Sequence, residues 1–393
     1  MQYDFDTVVD RRGTNSLKWA VGGEELPMWV ADMDFLVAPE IQRAITQRAA
    51  HGIFGYTEVP GDWYRAISSW WAQRHGLQIP REWILYCTGV VPAISSAIRK
   101  LTTPGEKVLV QTPVYNIFYN CIRNNGRQVV ENRLVYDGGR YHIDFADLQQ
   151  KLADPQTTMM LLCNPHNPIG KIWDRTELEE IGALCRRHHV LVLADEIHCD
   201  LTDPGQNYTP FAAVSNDCRQ NSITCVAPTK TFNLAGLQTS AVLVPNGALR
   251  HRVERALGTD EIAEPNTFAI TAAVAAYTSG GPWLEALRSY LYQNKQMAAA
   301  YLKKELPQVQ VVPSTATYLL WLDCRQVRGS GADLADHLRQ KTGLYLSGGA
   351  QFGGGSEQFL RMNIACPRAQ LYAGLQRLKR GVLAYEAWWS EQF

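Results

Sequence analysis

The chain has 393 residues, 46% of them hydrophobic and 19% charged, and its 38 basic side chains are balanced by 38 acidic ones. That length favours two unequal domains or one large core, and the composition excludes a disordered polymer. Zero net charge offers no global field for nucleic acid or an anionic membrane surface, so small-molecule chemistry is the expectation.

The amino terminus, Met1-Gln2-Tyr3-Asp4-Phe5-Asp6, carries carboxylates where a secretory signal carries positive charge ahead of an apolar segment. No apolar run approaches the roughly 20 residues that a membrane-spanning helix needs. A soluble cytoplasmic protein is expected. The first forty or so residues contain no sheet of their own and are expected to pack with a carboxyl-terminal domain or to arm a dimer. In Gly61 to Arg74, Trp63, Tyr64, Trp70 and Trp71 recur at helical spacing, which reads as a core or dimer-contact stripe rather than a nucleic-acid platform.

From about residue 85 to 245, short and nearly continuous apolar runs alternate with helix-like stretches, the pattern of strands buried on both faces of a parallel sheet. The runs are 107–111 (KVLVQ), 159–163 (MMLLC), 190–194 (VLVLA), 223–227 (ITCVA) and 241–244 (AVLV). Between the second and third, Asp174-Arg175-Thr176-Glu177 supplies an N-cap with a glutamate three residues on, followed by Leu178, Ile181, Leu184 and Cys185 at helical spacing. Right-handed crossovers place ligands beyond the carboxyl ends of such strands, which directs the search to the residues after each run. After Gly280-Gly281-Pro282, a long helical pattern from Trp283 to about Leu306 leads into 309–323, which alternates like strands of a smaller sheet. The predicted division is a large domain over 46–283 and a second unit made of 1–45 with 284–393. No internal repeat is evident, although Gly348 to Gly355 is glycine-rich.

Several segments at the predicted strand ends carry functional groups. Thr88-Gly89-Val90-Val91-Pro92 precedes a helix-like stretch through Leu101, and the free amides of a helix amino terminus suit a phosphate; an ordinary capped helix is the alternative. Asn164-Pro165-His166-Asn167-Pro168-Ile169-Gly170 is a stiff turn whose asparagine amides can donate to a phenolate oxygen. Gly170-Lys171 does not make a phosphate loop, because no glycine stands five positions earlier and Ile172 replaces the hydroxyl residue. Asp195 ends the third run, where a carboxylate can hold a pyridine nitrogen protonated, cap a helix or face water.

Lys230 follows the fourth run in Ala227-Pro228-Thr229-Lys230-Thr231-Phe232-Asn233, and an ammonium at a buried strand end is costly without a partner or a task. Imine formation is one such task, since a rigid strand end supplies both position and desolvation; a surface loop lysine is the alternative. Arg361, alone in the apolar Phe359-Leu360-Arg361-Met362-Asn363, suits bidentate capture of a carboxylate or a structural ion pair. No carboxylate or cysteine falls at usual ligand spacing around His188-His189, and His198 follows the Asp195 strand end toward the candidate site, so no metal is expected. The nine cysteines form no CxxC pair and are odd in number, and they read as reduced thiols packing as small hydrophobes.

In this order and spacing the segments resemble the fold-type I pyridoxal-phosphate enzymes of the class I/II aminotransferase family, over nearly the whole chain. The resemblance implies an α/β, aspartate-aminotransferase-like fold, with a mostly parallel seven-stranded sheet in the large domain and a smaller α/β domain. It implies that Lys230 bonds the pyridoxal 5'-phosphate, that Asp195 pairs with the pyridine nitrogen, and that Asn167 contacts the ring hydroxyl. By the same resemblance Tyr115 stacks on the ring, the Val90 and Val91 amides hold the phosphate, and Arg361 binds the substrate carboxylate. The resemblance also implies a homodimer in which Tyr56, in Phe54-Gly55-Tyr56, reaches the neighbouring subunit's phosphate. The chain departs from many relatives in having His198 where they have a tyrosine and Gln238 where they have a phosphate-binding arginine. Ala227 replaces a phosphate-binding serine and leaves that hydroxyl contact to Thr229. These departures, with Val9 to Trp19 and Ala31-Asp32-Met33-Asp34-Phe35, resemble the MalY/PatB branch of carbon-sulfur β-lyases. That branch implies cleavage of cystathionine or another S-substituted L-cysteine to a thiol, pyruvate and ammonia. Transamination by the same residues is the runner-up, and a regulatory protein that binds a transcription factor is the third reading.

Overall fold

A computed structural model describes residues 3–392; Met1 and Gln2, part of the amino-terminal reading, lie outside the described residues. The apolar runs do become a seven-stranded sheet, in the spatial order Ile84–Cys87, Ser240–Leu243, Ser222–Val226, Leu191–Asp195, Thr157–Cys163, Lys107–Thr112 and Gln128–Arg133. Its middle strands are parallel and almost wholly buried, with every residue of Ser222–Val226 inside. Continuous apolar runs are required there because helices cover both faces. One such helix is Arg175–Arg187, and its capping box forms: Asp174 accepts from the Glu177 N–H at 2.8 Å while the Glu177 carboxylate accepts from the Asp174 N–H at 2.9 Å.

The AVLV run differs from the parallel expectation, since Ser240–Leu243 runs antiparallel to both of its neighbours. Between it and Ser222–Val226 lie only the short helices Pro228–Thr231 and Ala235–Leu237, neither long enough to cross the sheet and return in parallel. The two outer strands, Ile84–Cys87 and Gln128–Arg133, were not among the expected runs. Gln128–Arg133 is mostly polar because it is an edge with one side open to water.

The second sheet is antiparallel, in the order Gln310–Val311, Leu319–Asp323, Phe359–Asn363 and Ser347–Gly348. The amino-terminal segment contributes a two-residue strand, Leu26–Pro27, which pairs in parallel with Leu344–Tyr345 and so attaches the first residues to this side of the molecule. The long helix expected from Trp283 spans Gly281–Glu305. Trp63, Trp70 and Trp71 are buried on Gly61–His75 against Tyr86, Phe232 and Tyr277, the core version of the stripe reading. All nine cysteines are free and buried.

Candidate active site

A cavity of about 300 Å³ opens at the carboxyl ends of the parallel strands, where this topology brings successive strand-end residues together. Its walls include Val90, Val91, Tyr115, Asn167, Asp195, His198, Thr229, Lys230 and Gln238. The strand ends thus converge as the sequence order suggested.

Lys230 sits on the four-residue helix Pro228–Thr231, begun by a proline at its first position. Its Nζ donates to the Ala31 carbonyl at 2.5 Å. Burial pushes the ammonium down to about 8; Asp32 opposes that shift, Arg361 adds to it and Asp195 opposes it. Near neutral pH a useful fraction is therefore free amine.

Asp195 closes the Leu191–Asp195 strand, is buried, and accepts one hydrogen bond, from the Ile197 N–H at 3.1 Å. Burial pushes its carboxyl up to about 7, with the Ile197 N–H and Lys230 opposing. A carboxylate in so dry a place lacks a contacting cation, and a protonated ring nitrogen would supply one. His198 is buried beside it, and burial, then Lys230 and Arg361, push its imidazole down to about 3, so the ring is neutral. Its Nδ1 is buried without a partner.

The helix Val90–Leu101 begins at this cavity with Gly89 as its N-cap and no side chain capping it, so its first N–H groups are free for an anion. Tyr115 lines the same space, with its ring edge-on to Phe118, and burial pushes its phenol up to about 12.

Arg361 lies on the Phe359–Asn363 strand with its guanidinium over the Phe352 ring at 4.8 Å. It donates to Asn167 Oδ1 at 3.2 Å and to the Trp29 carbonyl at 2.9 Å, while its Nε is buried and unpartnered. No carboxylate pairs with it among the described residues, and burial pushes it down to about 10. The structural ion pair weighed for this arginine is therefore not formed; a buried guanidinium with donors to spare is suited to an incoming carboxylate.

Tyr56 is fully exposed, in an irregular stretch outside the cavity of its own chain. Gln238 adopts a left-handed conformation, φ 52°, that ends the Ala235–Leu237 turn. Sequence reasoning missed Ala31, which lines the cavity and offers a backbone carbonyl; an alanine side chain carries no signal for that. Among the described residues, His75, Cys199 and Asp200 are close enough together to hold a metal ion. The Asp200 carboxylate already takes Arg74 Nε at 3.0 Å, His75 Nε2 at 2.9 Å, Trp70 Nε1 at 3.0 Å and Thr231 Oγ1 at 3.1 Å. A cation there would have to displace the guanidinium.

A mostly parallel sheet that delivers a lysine, an aspartate and a free helix amino terminus to one cavity defines a fold-type I, pyridoxal-phosphate-type scaffold. Residues 27–378 match the family Aminotransferase class I and II, and the chain belongs to that family. It is 44% identical to cystathionine beta-lyase PatB of Bacillus subtilis (strain 168) over 382 residues, 96% of this chain and 99% of that protein. It is 34% identical to protein MalY of Escherichia coli (strain K12), over 97% of this chain and 99% of that one. Among solved structures, cystalysin from Treponema denticola, which contains pyridoxal 5'-phosphate, superposes with a TM-score of 0.95 at 31% identity, covering 98% of this chain and 100% of its own. The pyridoxal-phosphate-bound C-S lyase from Staphylococcus hominis gives 0.91 at 32% identity, covering 98% and 99%.

Proposed function

We propose that this protein is a pyridoxal-phosphate-dependent carbon-sulfur β-lyase that converts L-cystathionine or other S-substituted L-cysteines to a thiol, pyruvate and ammonia. The observation that carries the reading is the meeting, in one cavity, of the Lys230 amine, the buried Asp195 carboxylate with its single N–H donor, and the uncapped helix at Val90. These fit the cofactor's aldehyde, ring nitrogen and phosphate in turn. The cofactor, when bound, supplies the electron sink that makes loss of the substrate α-proton feasible.

The chain's own groups do the rest. Asp195 would hold a proton at the ring nitrogen, Tyr115 would stack on the ring, and Asn167 would donate its amide N–H to the ring hydroxyl oxygen. The Val90 and Val91 amides and the Thr229 hydroxyl would hold the phosphate, and neutral His198 would lie beside the ring without adding charge. Arg361 binds the substrate carboxylate and sets the α-hydrogen toward Lys230 Nζ, which takes the proton as general base. The thiolate then leaves from the β-carbon.

Tyr56 is fully exposed and does not line the cavity of its own chain, which favours a homodimer in which the partner subunit's Tyr56 completes the phosphate site. The proposed division is 46–283 for the cofactor domain and 1–45 with 284–393 for the other, and the proposed compartment is the cytoplasm. A regulatory protein partner is the remaining reading, testable by pull-down from cell extract.

The deciding experiment supplies cystathionine without any keto acid and follows pyruvate and thiol. A lyase continues over many turnovers. Arrest after one turnover would instead identify an aminotransferase.

A further inference from the structure

Residues 29–33 form a strap that touches the cavity at Ala31 and pairs with no strand, so their carbonyls must find other donors. Side chains bond every one of them, and in addition Val30 O takes the Asp32 N–H at 3.0 Å and Asp32 O takes Lys18 Nζ at 3.4 Å. Trp29 O accepts from Arg361 at 2.9 Å; Val30 O and Asp32 O each accept from Asn363 Nδ2 at 2.6 Å. Ala31 O accepts from Lys230 Nζ at 2.5 Å and from the Tyr318 hydroxyl at 3.0 Å. Met33 O accepts from Arg11 at 3.0 Å and Asn233 at 3.1 Å.

Asn363 is placed for this. It lies two residues beyond Arg361 on one strand, hence on the same face. It is buried, and its Oδ1 accepts the Ala365 N–H at 2.8 Å, which fixes the amide so that both of its N–H groups face the strap. One neutral side chain thus grips the carbonyls on either side of Ala31.

We propose that Asn363 is a positioning residue for proton transfer at Lys230: by holding the carbonyls of Val30 and Asp32 it fixes the Ala31 carbonyl where it receives the Lys230 ammonium. The inference rests on the reading of Lys230 as the base. When Nζ takes the proton from the substrate α-carbon, it gains an N–H and a positive charge inside a dry cavity, and a carbonyl already aimed at it stabilises that charged form. The other groups that face Lys230 are Asp195 and His198 from one strand end, Arg361 from the second sheet, Tyr318, and Asp32 on the strap with Arg11 and Lys18 bound to it. Asn363 differs from the charged ones in that its removal changes no charge.

The test uses full-length, cofactor-free protein and measures its rate of recombination with pyridoxal phosphate against pH, by growth of the visible absorbance. Only the neutral amine attacks the aldehyde, so the midpoint reports Lys230, and titration of the cofactor itself cancels between variants. Asn363→Ala is expected to lower that midpoint by about one unit and to reduce kcat for thiol release about tenfold in the reconstituted enzyme. An unchanged midpoint overturns the proposal, whatever happens to stability or kcat. If Asn363→Ala does not fold, Asn363→Ser keeps an acceptor for Ala365 but cannot reach both carbonyls, and the same shift is required of it. Lys230→Ala run in parallel separates the two readings. If that variant keeps the absorbance, the assignment of Lys230 fails; if it loses the absorbance while the Asn363 variants keep the wild-type midpoint, only the positioning role fails.

Discussion

One wall of the cavity, carrying Asp195, Asn167 and Lys230, follows strands whose backbone groups are bonded to neighbouring strands and whose side chains are packed on both faces. The strap Trp29 to Met33, which meets the cavity at Ala31, has no such ladder and is held by side chains and by a buried ion cluster. In that cluster Lys18 Nζ lies 2.7 Å from Asp34 Oδ2, Arg11 bonds both Asp32 and Asp34 at 2.7 Å, and the Trp19 and Gln370 N–H groups complete the Asp34 shell. Apolar burial is indifferent to pH and tolerant of small changes in shape. A charge cluster is neither, because removal of one partner strands the other in a dry place. The sheet wall should therefore fix which chemistry occurs, and the strap should tune it.

The sharpest way to break that division is at the sheet wall. Lys230→Ala should abolish both the cofactor's visible absorbance and the pyruvate release; retention of both would remove the chemistry from this wall altogether. Arg361 bridges the two walls, and Arg361→Lys keeps the charge but loses the fork that reaches Asn167 and Trp29 together. A fall of about ten- to hundredfold in kcat/KM, carried mainly by KM, is expected from the loss of a charge-assisted hydrogen bond; an effect confined to kcat would show that the bridge serves the proton transfer instead.

The smallest effect concerns acid. Burial pushes the Asp34 carboxyl up, but Lys18, Trp19 and Arg11 prevail and hold it below its ordinary value of 3.8. Its contribution to stability is thus complete above that value and is lost as pH falls through the lowered folded one. Hydrogen exchange followed downward from about pH 5 should show residues 29–35 losing protection before Ser222–Val226 does. Simultaneous loss would mean that the strap is no weaker than the sheet.

The same contrast explains what could be read from the sequence. Strand ends announce themselves because a polar residue such as Asp195 or Lys230 follows a run that must be buried, and Arg361 stands out in its apolar strand for the same reason. The strap contributes carbonyl oxygens, which every residue has, so Ala31 and its tie to Lys230 left no trace beyond the motif around it. Nor did the apolar run at 241–244 reveal its direction, since burial on both faces looks alike in either sense and only the lack of a crossover helix decides it. Tyr56 was singled out by resemblance alone, and within one chain it touches nothing in the cavity.

The hydrogen bond from Arg361 to Asn167 joins two binding events through one guanidinium. A carboxylate that draws Arg361 toward itself competes for the donor that Asn167 Oδ1 now accepts, and so alters what the Asn167 amide can offer the ring. Reciprocity follows: by whatever factor the bound ring changes affinity for a carboxylate, a carboxylate changes affinity for the ring by the same factor.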